Sequence, residues 1–230
     1  MAEHGVDSEF IRLDNGMSRI NVKLKSNEES EINGMGPKIS AEDIKKLYMQ
    51  LDQLKENDIV VLAGSIPNTL PNDIYETIMK DFMDKKINFV VDATKDLLLN
   101  VLKYNPFLIK PNHHELGEMF NVELKSQEEI ITYAKKLQEM GARNVIISMA
   151  GDGAILLEET GEITVSATPK GTLVNSVGAG DSMVGGFLAG LTMENDLKKA
   201  FKMGVATGSA SAFSEGLATK DKVEELLKQL

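Results

Sequence analysis

The stretch best equipped for chemistry is Asn175-Ser-Val-Gly-Ala-Gly-Asp181-Ser-Met-Val-Gly-Gly-Phe-Leu188. Gly178, Ala179 and Gly180 carry almost no side chain, so the backbone there can run close to a ligand. They stand immediately before a predicted helix, and their N–H groups then point at one spot at its positive end. Such a spot favours an anion. Asp181 sits at that start, where its carboxylate can take a proton from an incoming hydroxyl. The same residues also read as an Asp N-cap after a glycine turn. Gly185, Gly186 and Gly190 fall inside the predicted helix and cost about 0.5–1 kcal/mol each relative to Ala. Close approach of another backbone must compensate. No G-x-x-x-x-G-K-[ST] loop occurs, and no G-x-G-x-x-G opens a helix after the first strand. Neither standard nucleotide loop is therefore available, and phosphate chemistry falls to residues 178–181.

The elements that must position this loop divide into two parts. Residues 10–13, 18–24 and 29–32 are short alternating segments, separated by Asp14-Asn15-Gly16 and by Ser26-Asn27. Asn-Gly between alternating runs predicts a hairpin. Ile20, Val22 and Leu24 share one face, so a small antiparallel sheet with one apolar face is expected. After Gly34, Gly36 and Pro37 the chain alternates helix and strand. Ser40 can N-cap a helix with Ile44, Leu47, Leu51 and Leu54 at helical spacing. A second helix follows Pro71. Ser126 and Glu129 form a capping box for a helix through Met140. Apolar strands are expected at 59–63, 89–91, 107–109, 145–147, 154–157 and 163–165, and helices at 181–191, 197–213 and 223–230. Continuous apolar strands alternating with amphipathic helices predict an α/β fold, a three-layer, mostly parallel sheet covered on both faces. The domain division expected is a β lid at 10–36 and an α/β core at 1–9 and 37–230. Ligands of such sheets bind beyond the carboxyl ends of the strands. Those ends carry Gly64-Ser65, Asp92, Lys110-Pro-Asn112 and Ser148, which should converge on one crevice.

Composition narrows the partners. The chain has 230 residues, of which 42% are hydrophobic and 26% charged, ordinary values for a folded protein and against a disordered one. Net charge is −10, and only three of the 25 basic residues are Arg (Arg12, Arg19 and Arg143). That balance argues against nucleic acid. Cysteine is absent, which removes disulfides, zinc-thiolate sites and thiol nucleophiles and fits a reducing cytoplasm. No stretch reads as a membrane span and none at the N-terminus as a signal peptide.

Residues 175–188 resemble the C-terminal signature of the ribokinase-like (PfkB) carbohydrate kinases. The resemblance extends in order through Ser18-Arg19-Ile-Asn-Val, Glu31-Ile-Asn-Gly-Met-Gly-Pro37, Gly64-Ser65-Ile-Pro67, Lys110-Pro-Asn-His-His-Glu115, Ser148-Met-Ala-Gly-Asp-Gly153 and Gly204-Val-Ala-Thr-Gly-Ser209. Together these segments are similar to the branch that moves the γ-phosphate of ATP onto the 6-hydroxyl of fructose 1-phosphate. Tagatose 6-phosphate is the rival substrate the resemblance allows, and an inactive nucleotide-binding fragment is the non-enzymatic alternative. The family begins with a strand bearing a sugar-binding Asp and a glycine-lysine segment, and this sequence has neither. The N-terminal strands of the family's central sheet are therefore expected to be missing.

The resemblance implies roles residue by residue. Asp181 would be the catalytic base, with Gly178, Ala179 and Gly180 forming an anion hole. Phosphoryl transfer is loose and asks mainly for positioning and charge stabilisation. Arg19 is assigned to the sugar phosphate, which its planar fork suits; alone it would read as a solvated strand charge. Asn33 and Ser65 are weaker sugar candidates, otherwise turn residues. Lys110, Asn112, Ser148, Gly151, Gly153, Gly180 and Gly208 would bind ATP. Asn112 and Glu115 would hold Mg²⁺, with water between, since Mg²⁺ prefers oxygen ligands and keeps several waters; the other reading of Asn112 to Glu115 is a capped helix start. His113 and His114 point apart on a helix and lack any metal-site context, so they read as structural. The small-residue helix around Gly208 would line the adenine pocket, although close helix packing explains it almost as well. A homodimer through the apolar lid face completes the expectation.

Overall fold

A computed structural model describes residues 5–24 and 30–230. Its described residues form two compact units: those up to Asp58 together with Ser65–Ile87, and Ile59–Gly64 together with Asn88–Leu230.

In the first unit, β1 (Asn21–Leu24) pairs antiparallel with β2 (Ser30–Asn33), with Val22 opposite Ile32. The hairpin expected from residues 10–13 does not form. Phe10 is exposed, and the Gly16 turn runs against Pro37, where a Cβ would lie 2.7 Å from the proline ring. A lone extended segment without a ladder partner has unpaired backbone groups and is not a strand. The Ser26-Asn27 turn and Glu29 lie outside the described residues. The strand expected over 18–24 forms only at 21–24; Ile20 just before it and Val22, Leu24 and Ile32 on the small sheet are all exposed. Helix α1 (Ala41–Leu51) begins at Ser40, which forms a reciprocal capping box with Asp43. It ends before Leu54, because Asp52 caps it. Helix α2 (Ile74–Phe82) buries Ile74, Ile78, Met79 and Phe82. The Tyr48 hydroxyl donates to Asp81 at 3.0 Å and its ring lies 5.6 Å from that of Phe82, tying α1 to α2.

The second unit is built on a six-stranded sheet in the order β3 (Ile59–Ala63), β4 (Asn88–Asp92), β5 (Leu108–Ile109), β6 (Asn144–Ser148), β7 (Ala154–Leu157), β8 (Ile163–Ser166). The first four strands are parallel and the last two join antiparallel. Helices α3 (Lys95–Val101), α4 (His113–Phe120), α5 (Gln127–Glu139), α6 (Ala179–Glu194), α7 (Leu197–Ala212) and α8 (Lys220–Leu227) complete it. Val90, Leu108, Ile146, Ala154 and Leu156 share a core with Met183, Val184 and Phe187 of α6 and Ala200, Phe201 and Val205 of α7. Their strand neighbours Val91, Ile109, Ile147 and Ile155 are equally buried and, by the pleat, face the opposite side, which α4 and α5 cover. The expected three layers, with a mostly parallel sheet, are present. Helix α3 has no counterpart in the sequence reading, though Leu98 and Val101 are fully buried. No helix among the described residues is long and apolar enough to cross a membrane.

The glycines of α6 meet the backbone approach they require. A Cβ at Gly186 would lie 2.3 Å from Thr207 Oγ1, and one at Gly190 would lie 2.8 Å from Ala200 Cα. Gly204 and Gly208 return the contact from α7, toward Met183 and Ala179. Gly185 faces open space. Gly190→Ala is therefore expected to destabilise the fold by about 1–3 kcal/mol through overpacking, whereas Gly185→Ala stabilises it by about 0.5–1 kcal/mol through helix propensity. Urea unfolding of the two variants checks the opposite signs.

One buried carboxylate stands apart. Glu158, just past β7, is 7% exposed, and its Oε1 has no hydrogen-bond partner. Burial pushes its carboxyl above the usual range, and Glu162 and Asp196 add to the rise against the opposing pull of Lys198. A carboxyl raised in the folded chain binds its proton more tightly there than when unfolded. It favours folding at acidic pH and withdraws that support as pH climbs through the raised value. Glu158→Gln should raise stability by about 1 kcal/mol at pH 7 and by much less near pH 4, measured by urea melts at both pH values.

Candidate active site

Parallel pairing dictates where the polar residues meet. Val91 is in register with Ile109, so the next residues along, Asp92 and Lys110, emerge side by side at the carboxyl ends of β4 and β5. The Lys110 ammonium lies 3.3 Å from Asp92 Oδ1. Lys110 is only 6% exposed. Burial pushes the Asp92 carboxyl above the ordinary carboxylate range; Lys110 pulls it back, and the charge of Asp181 raises it further.

The chain then crosses to β6 level, where Asn112 bridges Ser148 and the Ser148 N–H donates to the Pro111 carbonyl at 3.2 Å. Asn112 caps α4. Its Oδ1 accepts from the Glu115 N–H at 2.9 Å, and its own N–H donates to Glu115 Oε2 at 2.7 Å. The capped helix start is thus present in the structure. Beyond Ser148 a tight turn returns the chain into β7. The Met149 N–H donates to the Gly153 carbonyl, and the Thr168 hydroxyl donates to the Ala150 carbonyl. Gly153 has φ 94° and no room for a Cβ, which would lie 2.0 Å from the Ser166 carbonyl oxygen.

Helix α6 closes the opposite wall. Its N-cap is Gly178, in the left-handed region at φ 78°, and no side chain caps it. Asp181 is therefore not the N-cap; it stands in the first turn, exposed to solvent. A Cβ at Gly180 would lie 3.2 Å from Lys110 Nζ, so the ammonium sits directly against that first turn. A cation and the positive end of a helix thus converge on one place. Between these walls lies a cavity of about 560 Å³. Asp92, Lys110, Asn112 and Glu115 line one part of it; Ser148, Gly151 and Gly153 another; Ala179, Gly180, Met183, Val205, Gly208 and Phe213 the α6–α7 side. A polar end carrying one ammonium and two carboxylates thus adjoins an apolar slot lined by Met183, Val205 and Phe213.

A family model for pfkB family carbohydrate kinases matches residues 1–224. The chain belongs to that family. The kinase is 51% identical to a 1-phosphofructokinase of Bacillus subtilis (strain 168), over 100% of this chain and 75% of that relative. It is 33% identical to a D-tagatose-1-phosphate kinase of Bacillus licheniformis, over 97% of this chain and 73% of the other. A crystal structure from Staphylococcus aureus, described as a phosphofructokinase, superposes with a TM-score of 0.88 at 41% identity, covering 99% of this chain and 74% of that one. A carbohydrate kinase of this family uses ATP as its phosphoryl donor.

Of the residues singled out from the kinase sequence, Lys110, Asn112, Glu115, Ser148, Gly151, Gly153, Ala179, Gly180 and Gly208 share the one cavity. Asp181 and Gly178 do not line it, though each adjoins a residue that does. Arg19, Asn33 and Ser65 belong to the first unit, where Arg19 and Ser65 are exposed and Asn33 is paired in register with Asn21. His113 and His114 do not point apart. Their ring centroids are 3.9 Å from each other, both rings line the cavity, and His113 Nδ1 lies 3.4 Å from the Ser148 carbonyl oxygen. Asp92, Thr168, Leu173 and Ser176 also line the cavity. Asp92 lies where its strand end leads one to expect, although the sequence gives it no role; the loop residues leave no periodic signal.

Proposed function

We propose that this kinase transfers the γ-phosphoryl group of ATP to the 6-hydroxyl of fructose 1-phosphate, giving fructose 1,6-bisphosphate and ADP. The observation that carries the chemistry is the convergence of the Lys110 ammonium with the first turn of α6 at Gly180. The 51% identity to a 1-phosphofructokinase supports the substrate.

The sugar oxygen attacks the γ-phosphorus, the bond to the ADP oxygen breaks, and the hydroxyl proton passes to the Asp181 carboxylate. Gly178, Ala179 and Gly180 offer main-chain N–H groups to the charge on the transferring group. Lys110 adds its ammonium. Ser148, Gly151 and Gly153, with Gly208 across the apolar slot, hold the nucleotide. The oxygen donors that line the cavity, Asn112 and Glu115, suit a hydrated Mg²⁺; their capping oxygens are already bonded to main-chain N–H groups, so water would stand between. Among the described residues no cluster of three acidic or histidine ligands offers direct coordination. When bound, Mg²⁺ would neutralise phosphate charge. Arg19, with Asn33 and Ser65, would bind the sugar phosphate. Residues 10–36 would serve as a lid, and the exposed Ile20, Val22 and Leu24 would pair with the same face of a second copy.

The tagatose alternative carries over in changed form. The relative from Bacillus licheniformis is named for D-tagatose 1-phosphate, which keeps the phosphate on C1 and differs from fructose 1-phosphate only at C4. ADP release coupled to a dehydrogenase separates the two, with the higher kcat/KM expected on fructose 1-phosphate. Equal rates on free fructose would contradict the phosphate role of Arg19.

For Asp181→Asn, kcat should fall by about 10²–10⁴-fold while the ADP dissociation constant by calorimetry stays within about threefold, because the α6 amides remain. Arg19→Gln should raise KM for the sugar phosphate about tenfold or more with KM for ATP unchanged. Sedimentation velocity at micromolar concentration should give a dimer, which Val22→Glu dissociates; a wild-type monomer would end the dimer reading.

A further inference from the structure

We propose that Asp92 is a positioning residue for phosphoryl transfer: its carboxylate keeps the Lys110 ammonium against the first turn of α6, where charge on the transferring group is to be met. The inference rests on the kinase reading above and adds a residue to it.

The geometry is specific. Asp92 and Lys110 lie one step beyond the register pair Val91 and Ile109, so the sheet itself sets their spacing. The Asp92 main chain is fixed as well, since its carbonyl accepts from the Gly64 N–H at 3.1 Å. The Lys110 side chain is 7% exposed and the Asp92 side chain 19%. The ammonium also meets Gly180, where even a methyl group would stand 3.2 Å from Nζ. A cation so close to the positive end of a helix is repelled by it. In the absence of a bound anion some negative charge must hold it there, and the carboxylate 3.3 Å away is that of Asp92.

The pair is also poorly optimised as a structural ion pair. Burial raises the Asp92 carboxyl in spite of Lys110, and the nearby Asp181 charge adds to the rise. Removing two charges from water costs more than one contact returns unless further partners complete the set. Asp92 lines the same cavity as Lys110. Its effect runs through the place it gives to Lys110.

The test compares Asp92→Asn, Lys110→Met and the double variant. Asp92→Asn should lower kcat by about 10–100-fold, with KM for fructose 1-phosphate within about twofold of wild type. In the Lys110→Met background the same change should cost less than about twofold, since the group it positions is gone. Asp92→Glu, which keeps the charge on a longer arm, should recover part of the loss. Losses that multiply in the double variant, or an Asp92→Asn enzyme with wild-type kcat, would overturn the proposal. A crystal structure of Asp92→Asn supplies a readout without turnover. Nζ of Lys110 should leave its position beside Gly180, and an unmoved Nζ would also overturn it. If wild type phosphorylated no sugar phosphate, the functional reading would fail, while the position of Nζ would still decide this inference.

Discussion

A buried ammonium pressed against the positive end of a helix is the constraint on which the second unit turns. Left alone, the two would separate. They stay together because parallel pairing of β4 and β5 delivers a carboxylate and an amine to neighbouring strand ends, and because α6 starts with residues too small to push the amine away. The strength of such an arrangement comes from its low exposure. Lys110 is screened by protein on nearly all sides, so its field is far less damped than that of a surface lysine. An incoming anion therefore meets an ammonium, already held by Asp92, beside a helix start, both placed in advance by folding.

The same helix carries the second requirement, a wall thin enough to leave room. Gly186 and Gly190 let α6 lie on α7, and Gly204 and Gly208 let α7 approach in return. Larger residues would force the helices apart and shift the first turn of α6 with them. The price in helix propensity is set against the burial of Phe187, Phe201 and Met183 in one core. Packing far from the ligand thus fixes the position of Gly180 relative to Lys110.

Much of this is legible in the residue pattern. The continuous apolar runs at β4, β6 and β7 have no polar face, which only a sheet covered on both sides tolerates. Ser126 with Glu129 marked the start of α5, and the glycines of α6 signalled a close neighbour. What could not be read depends on partners distant in the chain. Residues 10–13 alternate like a strand but find no ladder, because alternation describes a face and not a partner. Helix α3 is short and amphipathic over barely two turns, too little for its period to stand out. The close, tilted contact of the His113 and His114 rings leaves no mark in the residue pattern. Asp92 carried a positional hint, yet its ion pair depends on which strand lies beside β4, and strand order is a property of the whole sheet. The two histidines are also cavity residues that the sequence assigns to structure alone.

The antiparallel half of the sheet has a consequence for how the chain assembles. Strands β6, β7 and β8 are joined by residues 149–153 and 158–162 alone, while β4, β5 and β6 must wait for intervening helices to bring them together. Closing a short loop sacrifices less chain entropy than closing a long one, and contacts near in sequence are made sooner. The wall holding Ser148, Gly151 and Gly153 is in this sense self-assembling, a meander that needs only its own residues for pairing. The end that holds Lys110 draws on segments as far apart as Asp92 and Gly180 and is complete only when the whole unit has condensed.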